Sequence, residues 1–135
     1  MTTNDLSNSV IFPLGEEVIG DNFSGRVWIN MLMPRDSACP VGNVTFEPGC
    51  RNSWHQHGGG QVLLVTGGRG YYQEWGQPAR ELHPGDVVEI PERAKHWHGA
   101  ARDSWFVHIF IFVDPEKGSV TWHEPVSDEE YNLLP

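Results

Sequence analysis

The chain has 135 residues, with 18 acidic and nine basic side chains and a formal net charge of −9. That length suits one domain around one core, and an acidic balance with no basic run argues against nucleic acid as a partner. No apolar run reaches membrane-spanning length, and the polar start MTTNDLSNSV lacks the basic-then-apolar order of a secretory signal. A cytoplasmic protein is expected.

Fifteen glycines and ten prolines cut the chain into short segments, which favours strands and turns over long helices. Two cysteines, Cys39 and Cys50, are too few for a disulfide framework and are expected to stay reduced. Cys50 is expected to be a small buried hydrophobe.

Taken in order, residues 1–9 are polar and expected to be loosely held, and Val10-Ile11-Phe12 is predicted to add an edge strand before Pro13. Residues 26–32 alternate and predict a strand. The loop 34–40, with a proline at each end, could cover a barrel mouth. Residues 44–47 predict a strand ended by the turn Pro48-Gly49. After Val62-Leu63-Leu64-Val65, a buried strand, Gly67-Gly68 is predicted to turn a hairpin with 70–75 as its return. Short strands follow at 80–82 and 87–90. Residues 105–112 are apolar on both faces except for His108, so this strand should be central. A last strand falls at 121–124, and Ser127-Asp128-Glu129-Glu130 has the spacing of a helix capping box, predicting a short helix to about Leu133.

The stretch GCRNSWHQHGGGQVLLVTG, residues 49–67, carries the chemistry. His55 and His57 are two apart, and residues two apart on a strand share a face, so both imidazoles can reach one point. Gly58, Gly59 and Gly60 let the backbone turn before Gln61, whose amide oxygen can come beside them. A fourth candidate, His96, lies downstream in KHWHGA. Imidazole is the commonest protein metal ligand, although an isolated His-x-His is more often a solvated turn. All four donors would be neutral, so a divalent ion would keep its full charge, act as a stronger Lewis acid and be held less tightly than with a carboxylate present. These ligand types leave manganese, iron, nickel and zinc open. His98 should face the same way as His96, while Lys95 should point away and be solvated. Alternation puts only one of Tyr71 and Tyr72 inward. His83 and His123 read as surface residues, and Trp28, Trp54, Trp75, Trp97 and Trp105 as core or interface.

The spacing Gly-x5-His-x-His-x3-Gln-x5-Gly resembles the first cupin motif, with Gln61 where Glu is usual. GDVVEIPERAKHWHGA resembles the second through Gly85, Pro91 and His96, with Arg93 in place of a usual Gly and Ala100 in place of a usual Asn. The resemblance implies an all-β, double-stranded β-helix of jelly-roll type with a short C-terminal helix, a single cupin domain over 1–135 with its core at about 26–125. A longer pattern, from VTFEPGCRNSWHQH to WHEPVSDEEY, is similar to small bacterial cupins associated with carboxymuconolactone decarboxylases, including the manganese-dependent hydroxynitrile lyases. That similarity implies His55, His57, Gln61 and His96 as metal ligands, manganese as the first choice of metal, and His108 and His98 as active-site imidazoles. Asn52 stands where those lyases carry a substrate-orienting threonine, and Gly58 where the group often has proline.

Three functions follow as expectations. The first is a metal-dependent lyase or isomerase acting on a small carbonyl or hydroxyl compound, with His108 moving the proton. The second is an iron-dependent dioxygenase, and the third a non-catalytic module binding a small ligand. A homodimer is expected in each case.

Overall fold

The computed structural model describes residues 11–135. The expectations for residues 1–9 and for Val10 lie outside the described residues. Two antiparallel sheets curl against each other to form a jelly-roll barrel. The first runs β1 (Glu16–Glu17), β3 (Val27–Met33), β4 (Val41–Phe46), β12 (Phe106–Val113), β7 (Gly60–Gly68) and β10 (Val87–Ile90) from edge to edge. The second runs β13 (Val120–Trp122), β6 (His55–His57), β11 (His96–Ala100), β5 (Arg51–Asn52) and β2 (Phe23–Ser24). Strand β8 (Gly70–Glu74) also pairs with β11, and β9 (Arg80–Leu82) pairs with β8. Among the described residues no helix is long and apolar enough to cross a membrane.

Strand β12 is central, as its two-sided apolar pattern requires. Both its edges are taken, by β4 and by β7. Phe106, His108 and Phe110 face the barrel interior, and Phe106 and Phe110 join Val27, Val44, Phe46, Leu63 and Ile90 in the main core. Cys50 packs in the same core, fully buried, which pushes its thiol up to about 12.

The expected hairpin at Gly67-Gly68 does not form. β7 is hydrogen-bonded on one side to β12 and on the other to β10, so no edge is left for β8. The chain instead crosses to the second sheet, where the hairpin is β8–β9. Gly68 turns this corner at φ 72°, and a Cβ there would land on the carbonyl oxygen of Trp105. The expected edge strand before Pro13 is also absent: Ile11 and Phe12 form a bend, and β1 lies after Pro13, paired with β3. The Pro13 carbonyl instead accepts a hydrogen bond from the Asn30 side chain.

The C-terminal segment folds back across the second sheet. Ser127 and Glu130 form the capping box of α1 (Asp128–Asn132), as their spacing predicts. Tyr131 donates to the Ala100 carbonyl, and the Arg51 guanidinium lies 4.2 Å over the Tyr131 ring while pairing with Asp128. Tyr71, Trp97 and Trp54 pack with Val126 and Tyr131 in a second cluster outside the barrel.

Arg93 takes a left-handed backbone at φ 61°, and its amide donates to the His57 carbonyl. The usual Gly of the second motif is thus a conformational requirement that this chain meets with a strained arginine. A non-glycine residue there costs about 1 kcal/mol or more, and the Arg93 side chain makes only an exposed pair with Glu92. Arg93→Gly is therefore expected to raise the thermal midpoint by a few degrees in calorimetry. A second expected outcome concerns the thiols: in the native protein at pH 8 Cys39, which is exposed, reacts with Ellman's reagent and buried Cys50 does not, while both react in denaturant.

Candidate metal centre

The cavity between the sheets is built on one register pair, His55 opposite His96 on β6 and β11. Each of these rings is fixed by a carbonyl two residues earlier. His55 Nδ1 lies 2.8 Å from the Ser53 oxygen, and His96 Nδ1 lies 2.8 Å from the Ala94 oxygen. A carbonyl can only accept, so both Nδ1 atoms carry the proton and both Nε2 atoms keep a lone pair. Their ring centroids are 4.2 Å apart.

His57 follows on the same face, its centroid 5.1 Å from that of His55 and 5.6 Å from that of His96. Gln61, at the start of β7, is buried beside the cavity. Three polar atoms of this group are buried without a hydrogen-bond partner: His57 Nε2, Gln61 Oε1 and His96 Nε2. Orphaned polar atoms of this kind, on residue types that ligate metals, fit a bound cation. Gly58 and Gly59 serve the site differently from their expected part as a sharp turn. Neither has a positive φ, and a Cβ at either would strike the carbonyl backbone of residues 113–117. Their missing side chains let that segment close against the His57 strand.

His98 also enters the group. One ring nitrogen each from His55, His96 and His98 lie within 4.8 Å of one another, a three-histidine cluster that could hold a metal ion. The tightest trio thus contains His98 where the sequence puts His57, and His57 stands beside it. His98 differs from His57 in being partnered. The Asn52 amide nitrogen lies 3.3 Å from its Nδ1 and 3.4 Å from its Nε2, and the Asn52 oxygen accepts from the His98 backbone amide at 2.9 Å. His108, fully buried on β12, has no side-chain hydrogen-bond partner and only the backbone of Ile109 within reach of its ring, and its centroid is 4.9 Å from that of His98. The two rings are therefore neighbours, although they come from opposite sheets.

Burial sets the charge state of all five imidazoles. It lowers His57 to about 4 and His96 to about 4, the latter against the opposing pull of the Ala94 carbonyl. It holds His55 and His98 well below the usual imidazole range, with repulsion from neighbouring imidazoles adding to the effect, and it takes His108 to about 3. All are neutral at physiological pH, the form in which imidazole ligates a metal.

The cavity holds about 520 Å³, and apolar side chains form most of its wall. Trp122 tilts against His55 at 4.8 Å, Phe112 against His57 at 5.0 Å, and Phe46 against His108 at 5.6 Å. Sequence reasoning missed these walls. The sign for Phe112 was available, since it shares the strand face of His108, but nothing local to Trp122 places it beside His55. Lys95 does point away from His96, yet it is not solvated. Its ammonium lies 3.5 Å from the Trp75 ring centroid and 2.9 Å from Glu124, because the outer face of β11 is covered. Tyr71 and Tyr72 alternate as expected, but both are buried, Tyr72 in the main core and Tyr71 in the outer cluster. His83 and His123 are exposed.

Comparison with known proteins agrees with the jelly-roll fold. Residues 42–113 match the cupin domain. The chain is 45% identical over 113 residues to the (R)-mandelonitrile lyase of Granulicella tundricola, covering 82% of this chain and 86% of that enzyme. A cupin-like protein of Thermotoga maritima superposes with a TM-score of 0.89 at 47% identity, covering 92% of this chain and 96% of that one. An acireductone dioxygenase of Bacillus mycoides is 35% identical over 66 residues, which span 46% of this chain and only 39% of that enzyme. With its matched domain, its jelly-roll sheets and a relative this similar over most of its length, the chain belongs to the cupin family.

Proposed function

We propose that this cupin is a metal-dependent lyase cleaving small hydroxynitriles, or closely related hydroxyl and carbonyl compounds, inside the barrel. The observation that carries the reading is the set of orphaned polar atoms, His57 Nε2, Gln61 Oε1 and His96 Nε2, gathered with His55 beside an apolar cavity. The similarity to a mandelonitrile lyase supplies the reaction class. His55, His57, Gln61 and His96 would hold one divalent ion, with manganese the first choice. His98 is left out of the ligand set because its ring already faces the Asn52 amide. Such an ion supplies a Lewis-acid site for the substrate's oxygen.

The remaining roles belong to the chain's own side chains. Phe46, Phe112 and Trp122 hold the apolar body of the substrate and exclude water. His108 is neutral and has no side-chain partner, only the backbone of Ile109 nearby, so one ring nitrogen can take the hydroxyl proton as the bond between carbinol carbon and nitrile carbon breaks. The same proton then goes to the departing cyanide, leaving aldehyde and hydrogen cyanide. His98, fixed by Asn52, lies close enough to pass that proton or to donate toward the leaving group.

Manganese-loaded protein is expected to release benzaldehyde from mandelonitrile, with His108→Ala about a hundredfold slower or worse. No benzaldehyde above a metal-free control would sink the lyase reading. Elemental analysis separates the two candidate ligand sets: His57→Ala should lose most of its metal and His98→Ala should keep it. The partial likeness to acireductone dioxygenase supports a second reading, an iron-dependent dioxygenase. It predicts oxygen consumption after anaerobic loading with ferrous iron, which the lyase reading does not.

The same reading takes the chain as one cytoplasmic cupin domain with its core at about residues 26–125, acting as a homodimer. Support for the dimer comes from the outer face of the six-stranded sheet, where Val62, Leu64, Ile109 and Ile111 are half-buried and Val87 is 55% exposed. Sedimentation at micromolar concentration should give twice the chain mass, and a monomer would overturn it.

A further inference from the structure

Among the described side chains that line the cavity, one is charged. It is Arg35, in the loop between β3 and β4. The other lining groups are apolar, neutral amide or hydroxyl, backbone, or imidazoles that burial keeps uncharged. The loop is folded on itself at one end and tied to β12 at the other. The Ser37 amide donates to the Pro34 carbonyl at 3.0 Å, closing a turn with Arg35 at its second position, and the Pro40 carbonyl accepts from the Phe112 amide at 3.1 Å. Phe112 is itself a cavity wall, so the loop is tied to the cavity it borders.

Arg35 is also unengaged. Arg26, Arg51, Arg69 and Arg93 pair with carboxylates, while Arg80 and Arg102 donate to backbone carbonyls. Among the described residues Arg35 has no such partner, although acidic side chains outnumber basic ones 18 to nine. A free guanidinium on a chain of net charge −9, and at an apolar cavity, offers a planar two-pronged donor for a carboxylate that the rest of the surface would repel.

We propose that Arg35 selects an anionic substrate: a small molecule with an apolar body, a hydroxyl or carbonyl oxygen at the end that reaches the histidine cluster, and a carboxylate at the other end, paired with Arg35. This rests on the reading of the cavity as the reaction site and narrows its substrate class. The lyase reaction itself does not require a carboxylate, so the two claims fail separately.

The test is calorimetric binding of 4-(hydroxymethyl)benzoate and 4-(hydroxymethyl)benzamide to manganese-loaded full chain. These ligands match in size and differ in charge, and neither carries a nitrile to cleave. The wild type should bind the carboxylate roughly tenfold more tightly than the amide. Arg35→Gln should abolish that ratio, and Arg35→Lys should keep part of it. Equal affinity in the wild type, including no measurable binding of either ligand, overturns the proposal. So does a preference that survives Arg35→Gln, since the carboxylate would then be bound elsewhere, at the metal. A preference lost in Arg35→Gln together with no cleavage of mandelonitrile would sink the lyase and leave the selection by Arg35 standing.

Discussion

Two backbone carbonyls set up the site. By accepting from Nδ1 of His55 and of His96, the Ser53 and Ala94 oxygens fix which nitrogen of each ring remains free, and the β6–β11 register then brings the rings together. A histidine without such an anchor can turn or change tautomer. A buried polar atom without a partner costs about 1–3 kcal/mol, and three such atoms meet here. A cation held there would satisfy all three together.

The barrel supports this arrangement through backbone closeness. β12 fills the middle of one sheet and delivers His108 from the face opposite His98. Gly58 and Gly59 bring residues 113–117 against the His57 strand, and the strained Arg93 ties the second motif back to the His57 carbonyl. The two motifs, residues 49–67 and 85–100, are therefore one physical unit. The apolar walls finish it: they bury the imidazoles and leave them neutral, the form the proposed metal binding and proton transfer both require.

Much of this was legible in the sequence, and the exceptions share a cause. Period-two alternation placed His55 with His57 and His96 with His98, and two-sided apolarity made β12 central. The capping box gave α1 outright, because its signal lies within four residues. What alternation could not supply was partnership between distant strands. It read Gly67-Gly68 as a hairpin because it could not see that both edges of β7 were occupied. It left Lys95 in solvent because it could not see Trp75 and Glu124 across the outer face. It did not find Trp122, and it could not rank His98 against His57, because both depend on side chains meeting across strands, including the Asn52 contact.

The most direct measurement is X-ray absorption at the manganese edge of the loaded protein, which counts imidazoles around the ion. Four neutral donors from β6, β7 and β11 predict three imidazole nitrogens and an amide oxygen among its nearest neighbours. An ion surrounded by oxygen alone, or with a single imidazole, would contradict the account, because the two carbonyl-anchored histidines would then be holding nothing.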